Sequence, residues 1–369
     1  MKMLKRCTIS NKKKIIAGLV LFVAAILIYA IAKSSEWIAE YVFARGIFRI
    51  VSTIINVIMG IVPFSISEVV VVLFPIIIAV WVVRLFVQLI KKKSVKKDIL
   101  HALCSGFLAI GIIAFLYVIM CGTNYYRYSF AHINEITITK HSDEQLYEMC
   151  LDIAKRMNEV RDDIEEDKEG IADYGMSYLE MAEAVEREFE RASKDYDCLN
   201  GYLAQAKPLS TSYVFSCFET TGVYSPFTVE ANVNIDVLDY SIPATMAHEM
   251  AHTSGFMRED EANYIAYMVC TGSSDPRIVY SGLSLAFSYS VNKLYEVNTT
   301  YYYEVWDEVS ENVLDDRREN SKYWQQFAGT TLAQVGNDVN DAYLKANDQD
   351  DGTKSYGRMV DLLLSTYFQ

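Results

Sequence analysis

Long apolar runs in the first third of the sequence constrain the fold most strongly. Residues 15–32 form a run of 18 residues without a charge, and residues 67–90 and 99–121 are nearly as apolar. Helical runs of this length match the thickness of a bilayer core. Within the second run, Pro75 can kink the helix and Arg84 can extend toward its basic end. The sequence therefore predicts three membrane spans.

Two alternatives concern the beginning of the chain. The first run follows a basic segment and ends in Ala30-Ile31-Ala32, which also fits a cleaved signal peptide. Residues 36–62 place apolar and polar side chains on different helical faces, so we expect an amphipathic helix in the membrane interface. The alternative is a second, short span over residues 47–62 that ends at Pro63. Either way, we assign residues 1–126 to the membrane region.

Charge divides the chain into a basic membrane part and an acidic soluble part. Residues 1–121 contain 15 Lys and Arg against 4 Asp and Glu, a net charge of +11, whereas residues 122–369 have a net charge of −24. With three spans, both lysine clusters (12–14 and 91–97) lie on one side, which the positive-inside rule predicts to be the cytoplasm. The rule then places residues 127–369 outside the cytoplasmic membrane. An acidic domain also argues against nucleic acid as a partner, because phosphates need a basic surface.

The segment His248-Glu249-Met250-Ala251-His252 has the H-E-x-x-H pattern of zinc peptidases. On a helix, His248 and His252 lie one turn apart on the same face, so both imidazoles can bind one metal ion. Glu249 lies beside them, where its carboxylate can take a proton from the water that the metal activates. The three residues predict a zinc-dependent hydrolase. The alternative is an ordinary polar helix face.

A catalytic zinc site normally has three protein ligands, so a third ligand must follow the first two. Residues 258–263 offer Glu259, with Asp260 and Glu261 as alternatives. Read as E-x-x-A-N, this stretch resembles the E-x-x-A-D helix that supplies the third ligand of gluzincin-type peptidases. The resemblance implies Glu259 as the ligand and Asn263, which replaces the usual Asp, as a residue that supports a ligand, as metal-bound histidines require. The alternative is a solvated acidic turn.

The spacing between the two motif halves is short for a gluzincin, because Glu259 is only the seventh residue after His252. Gly255 occupies the position of the turn glycine in the metzincin pattern H-E-x-x-H-x-x-G-x-x-H, but Arg258 stands where that pattern has its third histidine. A glycine can end the first helix in a left-handed conformation and return the chain toward the metal. We therefore expect Gly255 to bring Glu259 within reach of the histidines.

The rest of the soluble domain offers weaker signals. Apolar spacing predicts scaffold helices over residues 142–165 and 177–194. Alternation over residues 224–234 predicts one strand just upstream of the metal helix. In zincins an edge strand at this place binds extended peptide, and the alternative is an ordinary strand with a polar outer face.

A zinc hydrolase must also stabilise the oxyanion and orient its substrate. Tyr280, Tyr356 and Arg358 are the candidates for these roles. The chain has 26 tyrosines, most of which must be structural.

Several short segments form a specific combination along nearly the whole chain. They are Pro63-Phe64-Ser65, Asn124-Tyr125-Tyr126-Arg127, Ser225-Pro226-Phe227-Thr228, Glu230-Ala231-Asn232, the 248–263 stretch, Tyr280-Ser281-Gly282, Tyr343-Leu344-Lys345 and Ser355-Tyr356. This order resembles a family of uncharacterised bacterial membrane proteins with a zincin-like domain. The resemblance implies a membrane-bound zinc metallopeptidase.

We accordingly expect a membrane α-helical N-terminal region followed by an α+β, mainly helical, zincin-like extracytoplasmic domain over residues 127–369. The expected activity is hydrolysis of a peptide or protein at the outer face of the cytoplasmic membrane, with Zn2+ as cofactor and the lipid bilayer as a further partner. The alternative is a non-catalytic sensor or assembly factor that keeps the zincin fold for binding. An intact Glu249 favours the enzyme, because a binding protein has no chemical need of that carboxylate.

Overall fold

Helices make up most of the computed structural model of this chain. The residues that the structure describes are 10–91, 95–201, 204–347, 349 and 357–369. Contacts between residues divide the chain into two units, one of Met1–Phe48 and Ile66–Arg127 and another of Arg49–Ser65 and Tyr128–Gln369. The expected class, apolar helices followed by a mainly helical domain with some strand, is confirmed at this level.

Within the described residues, four helices are long and apolar enough to cross a membrane. They are α1 (Asn11–Ser34), α2 (Glu36–Met59), α3 (Ile66–Ile90) and α4 (Lys96–Met120), which a 3-10 turn extends to Tyr126. Three of them, α1, α3 and α4, coincide with the predicted spans, and α2 covers the predicted amphipathic helix. These helices indicate membrane association, and the number of crossings stays a prediction.

Helix α2 differs from the other three in its polar residues. Its middle part, Ala39–Phe48, is π-helical, and the division between the two units falls within this helix. In the part that belongs to the second unit, Ser52 and Asn56 are buried, whereas Ile50 and Ile54 are exposed. A helix that buries its polar side against protein turns its apolar side outward, as contact with lipid requires.

A buried ion pair fixes part of the first unit. The Nε atom of Arg127 lies 2.8 Å from Oε2 of Glu40, and Nε of Arg45 lies 2.6 Å from Oε1 of the same carboxylate. Both Glu40 and Arg127 are almost fully buried. Charged groups in such an environment are tolerated when they are paired and hydrogen-bonded. The pair therefore connects α2 to the residue that follows the 3-10 turn.

The second unit combines many helices with one small sheet. Both predicted scaffold helices are confirmed, and each begins with a serine capping box, at Ser142 and Ser177. The elements after the membrane helices are α5 (Phe130–Ile133), α6 (Asp143–Arg161), α7 (Tyr178–Asp195), β1 (Lys207–Pro208), α8 (Ser212–Cys217), β2 (Gly222–Ser225), β3 (Glu230–Val233), α9 (Ile242–Thr253), α10 (Glu259–Thr271), α11 (Pro276–Val297), α12 (Thr299–Asp307), α13 (Glu311–Gln325), α14 (Thr331–Ala346) and α15 (Gly357–Tyr367).

The prediction of a single strand over residues 224–234 is wrong, because this segment contains a turn. Strand β2 ends at Ser225 and β3 begins at Glu230, and Val229 adopts a positive φ of 52° between them. The two strands pair antiparallel, while β1 pairs parallel with the other side of β3. The central strand is therefore β3, which is buried along its length, and the edge strand near α9 is β2.

A buried lysine binds the end of α2 and the segment after it to this sheet. Lys207 Nζ lies 2.7 Å from Oε1 of Glu230, and it also donates to the main-chain oxygens of Met59 and Phe64 at 2.8 and 3.3 Å. Glu230 is 1% exposed, so its charge needs this partner. Within the second unit, Lys207 therefore connects Glu230 of the central strand to the main chain at the end of α2 and just after it.

A second buried network joins α6, α11 and α13. Asp316 accepts a hydrogen bond from Arg161 Nε at 2.7 Å, from the Tyr280 hydroxyl at 2.7 Å and from the Ala172 amide at 2.8 Å. Arg161, Tyr280 and Asp316 are all 0% exposed. Such a network stabilises a fold only while every member is paired, because an unpaired buried charge is costly.

This network predicts a large stability loss in Asp316→Ala. Removing the carboxylate leaves the guanidinium of Arg161 buried without its main partner, which we expect to reduce the free energy of unfolding by about 3–5 kcal/mol. Denaturant unfolding of the full-length protein in detergent measures the change. The control is Asp315→Ala, since the adjacent Asp315 forms an exposed ion pair with Arg318. Equal stability of the two variants would contradict the account.

Candidate metal centre

Helix α9 presents both motif histidines at one point. Pro243 lies in its first turn, where the missing amide proton costs nothing, and the helix is buried on nearly every side. The Nε2 atoms of His248 and His252 are 3.1 Å apart. The one-turn spacing of the motif thus becomes a pair of converging nitrogens, as helix geometry requires.

The turn after α9 brings the third predicted ligand to the same point. Gly255 adopts the left-handed conformation that was expected, with φ +89°, and α10 begins at Glu259. The Oε2 atom of Glu259 lies 3.2 Å from Nε2 of His248, and Oε1 lies 3.6 Å from Nε2 of His252. The ligand atoms of the three residues all lie within 4.8 Å of one another.

The two alternative ligands are engaged elsewhere. Glu261 accepts from the Phe130 amide at 2.8 Å and pairs with Arg258 at 2.9 Å. Asp260 pairs with Arg358, whose Nε lies 3.0 Å from Oδ2. Among the three acidic residues of this turn, Glu259 is therefore the one that the structure places against the histidines.

Both histidines have a hydrogen-bond acceptor for the ring nitrogen that faces away from the cluster. Nδ1 of His248 lies 2.8 Å from Oδ1 of Asn263, and Nδ1 of His252 lies 2.7 Å from the main-chain oxygen of Phe256. With its proton on Nδ1, each neutral ring has its lone pair on Nε2. Asn263 therefore lies where the E-x-x-A-N pattern predicted a supporting residue.

One further contact escaped the sequence analysis. Nδ2 of Asn263 donates to the Tyr289 hydroxyl at 3.2 Å, which limits how the amide can rotate. Tyr289 lies on α11 and is one of 26 tyrosines, so no spacing singled it out.

Glu249 is more deeply enclosed than the three ligand residues. It is 4% exposed, and its Oε2 has no hydrogen-bond partner among the described residues. The side chains of His248 and Glu259 are 15% and 23% exposed, so the ligand cluster is open to solvent on one side. A catalytic metal site needs this open position. The arrangement combines an accessible ligand cluster with an adjacent enclosed carboxylate.

The burial and charges of the cluster, and the pKa shifts that they cause, favour a cation at this site. Burial alone lowers the pKa of His248, but its hydrogen bond to Glu259 and that residue's charge reverse the effect and raise the pKa to about 9. Burial lowers the pKa of His252 to about 4 and raises the pKa of Glu249 to about 8. Burial opposes ionisation of Glu259, yet the imidazoles keep its pKa below the usual value. The cluster thus attracts one positive charge, and a divalent cation fits its donor set of two nitrogens and one carboxylate.

The remaining predicted site residues lie in different places. Tyr280 belongs to the buried network of Asp316 and has no exposed surface, so its hydroxyl serves the fold. Arg358 is paired with Asp260 and also donates to Gln349 at 3.1 Å. Tyr356 lies outside the described residues. The catalytic roles of Tyr356 and Arg358 stay predictions.

Comparison with protein families gives one result. A family model described as "Protein of unknown function (DUF3810)" matches residues 43–364. The chain belongs to this family. The match spans the whole candidate metal centre and confirms the expected resemblance to an uncharacterised family. Comparisons with curated proteins and with solved structures gave no match.

The raised pKa of His248 predicts strongly pH-dependent zinc binding. With a pKa of about 9, His248 carries a proton at neutral pH, and this proton must leave before Nε2 can bind a metal ion. Zinc affinity of the metal-free full-length protein should therefore rise at least about tenfold per pH unit between roughly pH 6.5 and 8.5. Competition titration against a chromophoric chelator measures this slope. An affinity that stays constant over the window would contradict the prediction.

Proposed function

We propose that this chain is a membrane-anchored zinc-dependent metallopeptidase that hydrolyses peptide bonds of a protein or peptide at the outer face of the cytoplasmic membrane. One observation carries the proposal. Donor atoms of His248, His252 and Glu259 converge within 4.8 Å beside Glu249, whose Oε2 lacks a hydrogen-bond partner among the described residues. A buried polar atom without a partner is costly, and function is a recognised reason to retain one.

Zinc is the cation that this donor set fits best, because two imidazoles, one carboxylate and an open position are typical of catalytic zinc sites. When bound, zinc supplies Lewis acidity that activates water and polarises the peptide carbonyl. The three ligand residues hold the ion, while Asn263 and the Phe256 carbonyl keep the imidazole protons on Nδ1.

The proton transfers fall to Glu249. As general base it takes a proton from the attacking water, and as general acid it passes this proton to the amine nitrogen that leaves. Because Glu249 is enclosed beside the ligand cluster, one side chain can perform both transfers shielded from bulk water. Tyr356 and Arg358 are the proposed residues for stabilising the oxyanion and orienting the substrate.

The proposed location rests on three spans, α1, α3 and α4, with α2 partly in the membrane interface. The second half of α2 supports this arrangement, because it buries Ser52 and Asn56 and its end binds Lys207 through the Met59 carbonyl. A helix that contacts the soluble domain in this way fits an interfacial position. With three spans, the positive-inside rule puts both lysine clusters, 12–14 and 91–97, in the cytoplasm and the zincin-like domain outside.

The variant Glu249→Gln tests the chemistry. It keeps the size of the side chain but cannot accept a proton, so we expect hydrolysis of a quenched fluorescent peptide library to fall about 10²–10⁴-fold. The zinc content, measured by elemental analysis of the full-length protein in detergent, should stay at one ion per chain. The matched control is Glu183→Gln on the exposed face of α7, which should keep wild-type activity.

Two outcomes would contradict the proposal. One is wild-type hydrolysis in Glu249→Gln. The other is a wild-type protein that binds one zinc ion and cleaves no member of the library, which would favour a non-catalytic sensor or assembly factor.

A further inference from the structure

One face of edge strand β2 lies against helix α9. Strand residues alternate between faces, so Gly222 and Tyr224 share one side and Val223 has the other. The Tyr224 ring centroid is 6.0 Å from that of His252, whereas Val223 is 40% exposed. Gly222 pairs with Val233 of the central strand, which fixes its position. The face that carries Gly222 is therefore the face turned toward the site.

Gly222 leaves no room for a side chain. A Cβ atom at this position would lie 2.5 Å from Oε1 of Glu249, 2.8 Å from its Cγ and 2.9 Å from its Cδ. These distances are shorter than the van der Waals separations of the atoms, so the Cβ atom would clash with Glu249. The clash involves the Cγ atom of the side chain as well as its carboxylate. The main chain of Gly222 and the carboxylate of Glu249 are thus in direct van der Waals contact.

Backbone conformation does not explain the glycine, since its φ lies outside the left-handed region that favours this residue. The carboxylate also has little space into which it could retreat, because Glu249 is only 4% exposed. In an interior packed this closely, even one added methyl group displaces or strains the neighbouring side chains. What Gly222 provides is the space that the side chain of Glu249 occupies.

We propose that Gly222 is a positioning residue for Glu249, because the bare main chain of β2 sets the side-chain conformation in which this carboxylate lies beside the ligand cluster. The inference rests on the proposed function, in which Glu249 moves the proton. It assigns to the edge strand a task in the catalytic geometry, distinct from any contact with substrate. A methyl group at residue 222 displaces the carboxylate while the three ligand residues stay in place.

A double-mutant cycle tests the contact without any need for activity. Gly222→Ala, Glu249→Ala and the double variant are compared with wild type by thermal unfolding of the metal-free full-length protein in detergent. We expect Gly222→Ala to lower the midpoint by at least about 3 °C in the wild-type background and by much less when Glu249 is alanine. An equal shift in both backgrounds would overturn the proposal.

Cobalt spectroscopy tests the positioning role itself. Each variant is loaded with Co2+, and the visible absorption bands of the bound ion report the groups around it. We expect Gly222→Ala to keep one cobalt ion per chain and to shift these bands in the same direction as Glu249→Ala. In the Glu249→Ala background, Gly222→Ala should cause no further shift. Val223→Ala, which alters the opposite face of the strand, should leave the spectrum unchanged.

The outcomes separate this inference from the proposed function. A wild-type spectrum in Gly222→Ala with cobalt bound would overturn the positioning role alone. A wild-type protein that binds no cobalt would overturn the proposed function and, with it, this inference. If a peptide of the library is cleaved, Gly222→Ala should lower kcat and leave KM and zinc content near their wild-type values.

Discussion

The turn between α9 and α10 is the constraint on which the candidate metal centre depends. Gly255, at φ +89°, lies three residues after the second histidine and reverses the chain. The same turn places the Phe256 carbonyl 2.7 Å from Nδ1 of His252 and lets Glu259 start the next helix beside both imidazoles. The left-handed conformation of Gly255 therefore determines which nitrogen of His252 carries the proton. It also brings the Glu259 carboxylate to the histidines. A side chain at residue 255 would strain both contacts at once.

Three buried or nearly buried ion pairs of the second unit contrast with the carboxyl group of Glu249. Lys207 with Glu230, Arg161 with Asp316, and Arg258 with Glu261 are buried or nearly buried pairs in which each charge has its opposite. Glu249 is as buried as these groups, and its Oε2 has no partner among the described residues. A buried carboxyl group without such a partner is a candidate for chemistry, and the proposed reaction gives Glu249 that role.

Local spacing predicted most of the candidate site. His248, Glu249, His252 and Asn263 lie on two helices, where separations of one, three or four residues determine which side chains are neighbours. Glu259 was predictable because Gly255, four residues before it, can turn the chain back toward the histidines. The same reasoning predicted the apolar helices and the two capped scaffold helices, since composition and capping residues are local signals as well.

Contacts between distant segments escaped prediction. Gly222 and Tyr289 meet the site from a strand and a helix whose positions depend on tertiary packing, and a glycine or tyrosine carries no periodic signal. The error over residues 224–234 has a related cause, because alternation of residue types continues through the turn at Pro226 and conceals the change of strand. The hydrogen bond from Lys207 to the Met59 carbonyl, at the end of α2, likewise joins residues nearly 150 positions apart.

X-ray absorption at the zinc edge tests the central claim most directly. It should be applied to the zinc-loaded full-length protein, to Glu259→Ala and to Asp260→Ala. The account predicts one zinc ion per chain with imidazole nitrogens and a carboxylate oxygen at about 2.0–2.2 Å in the wild type and in Asp260→Ala. Zinc should be weakly held or absent in Glu259→Ala. An unchanged zinc environment in Glu259→Ala, or sulfur at about 2.3 Å in the wild type, would contradict the assigned metal centre.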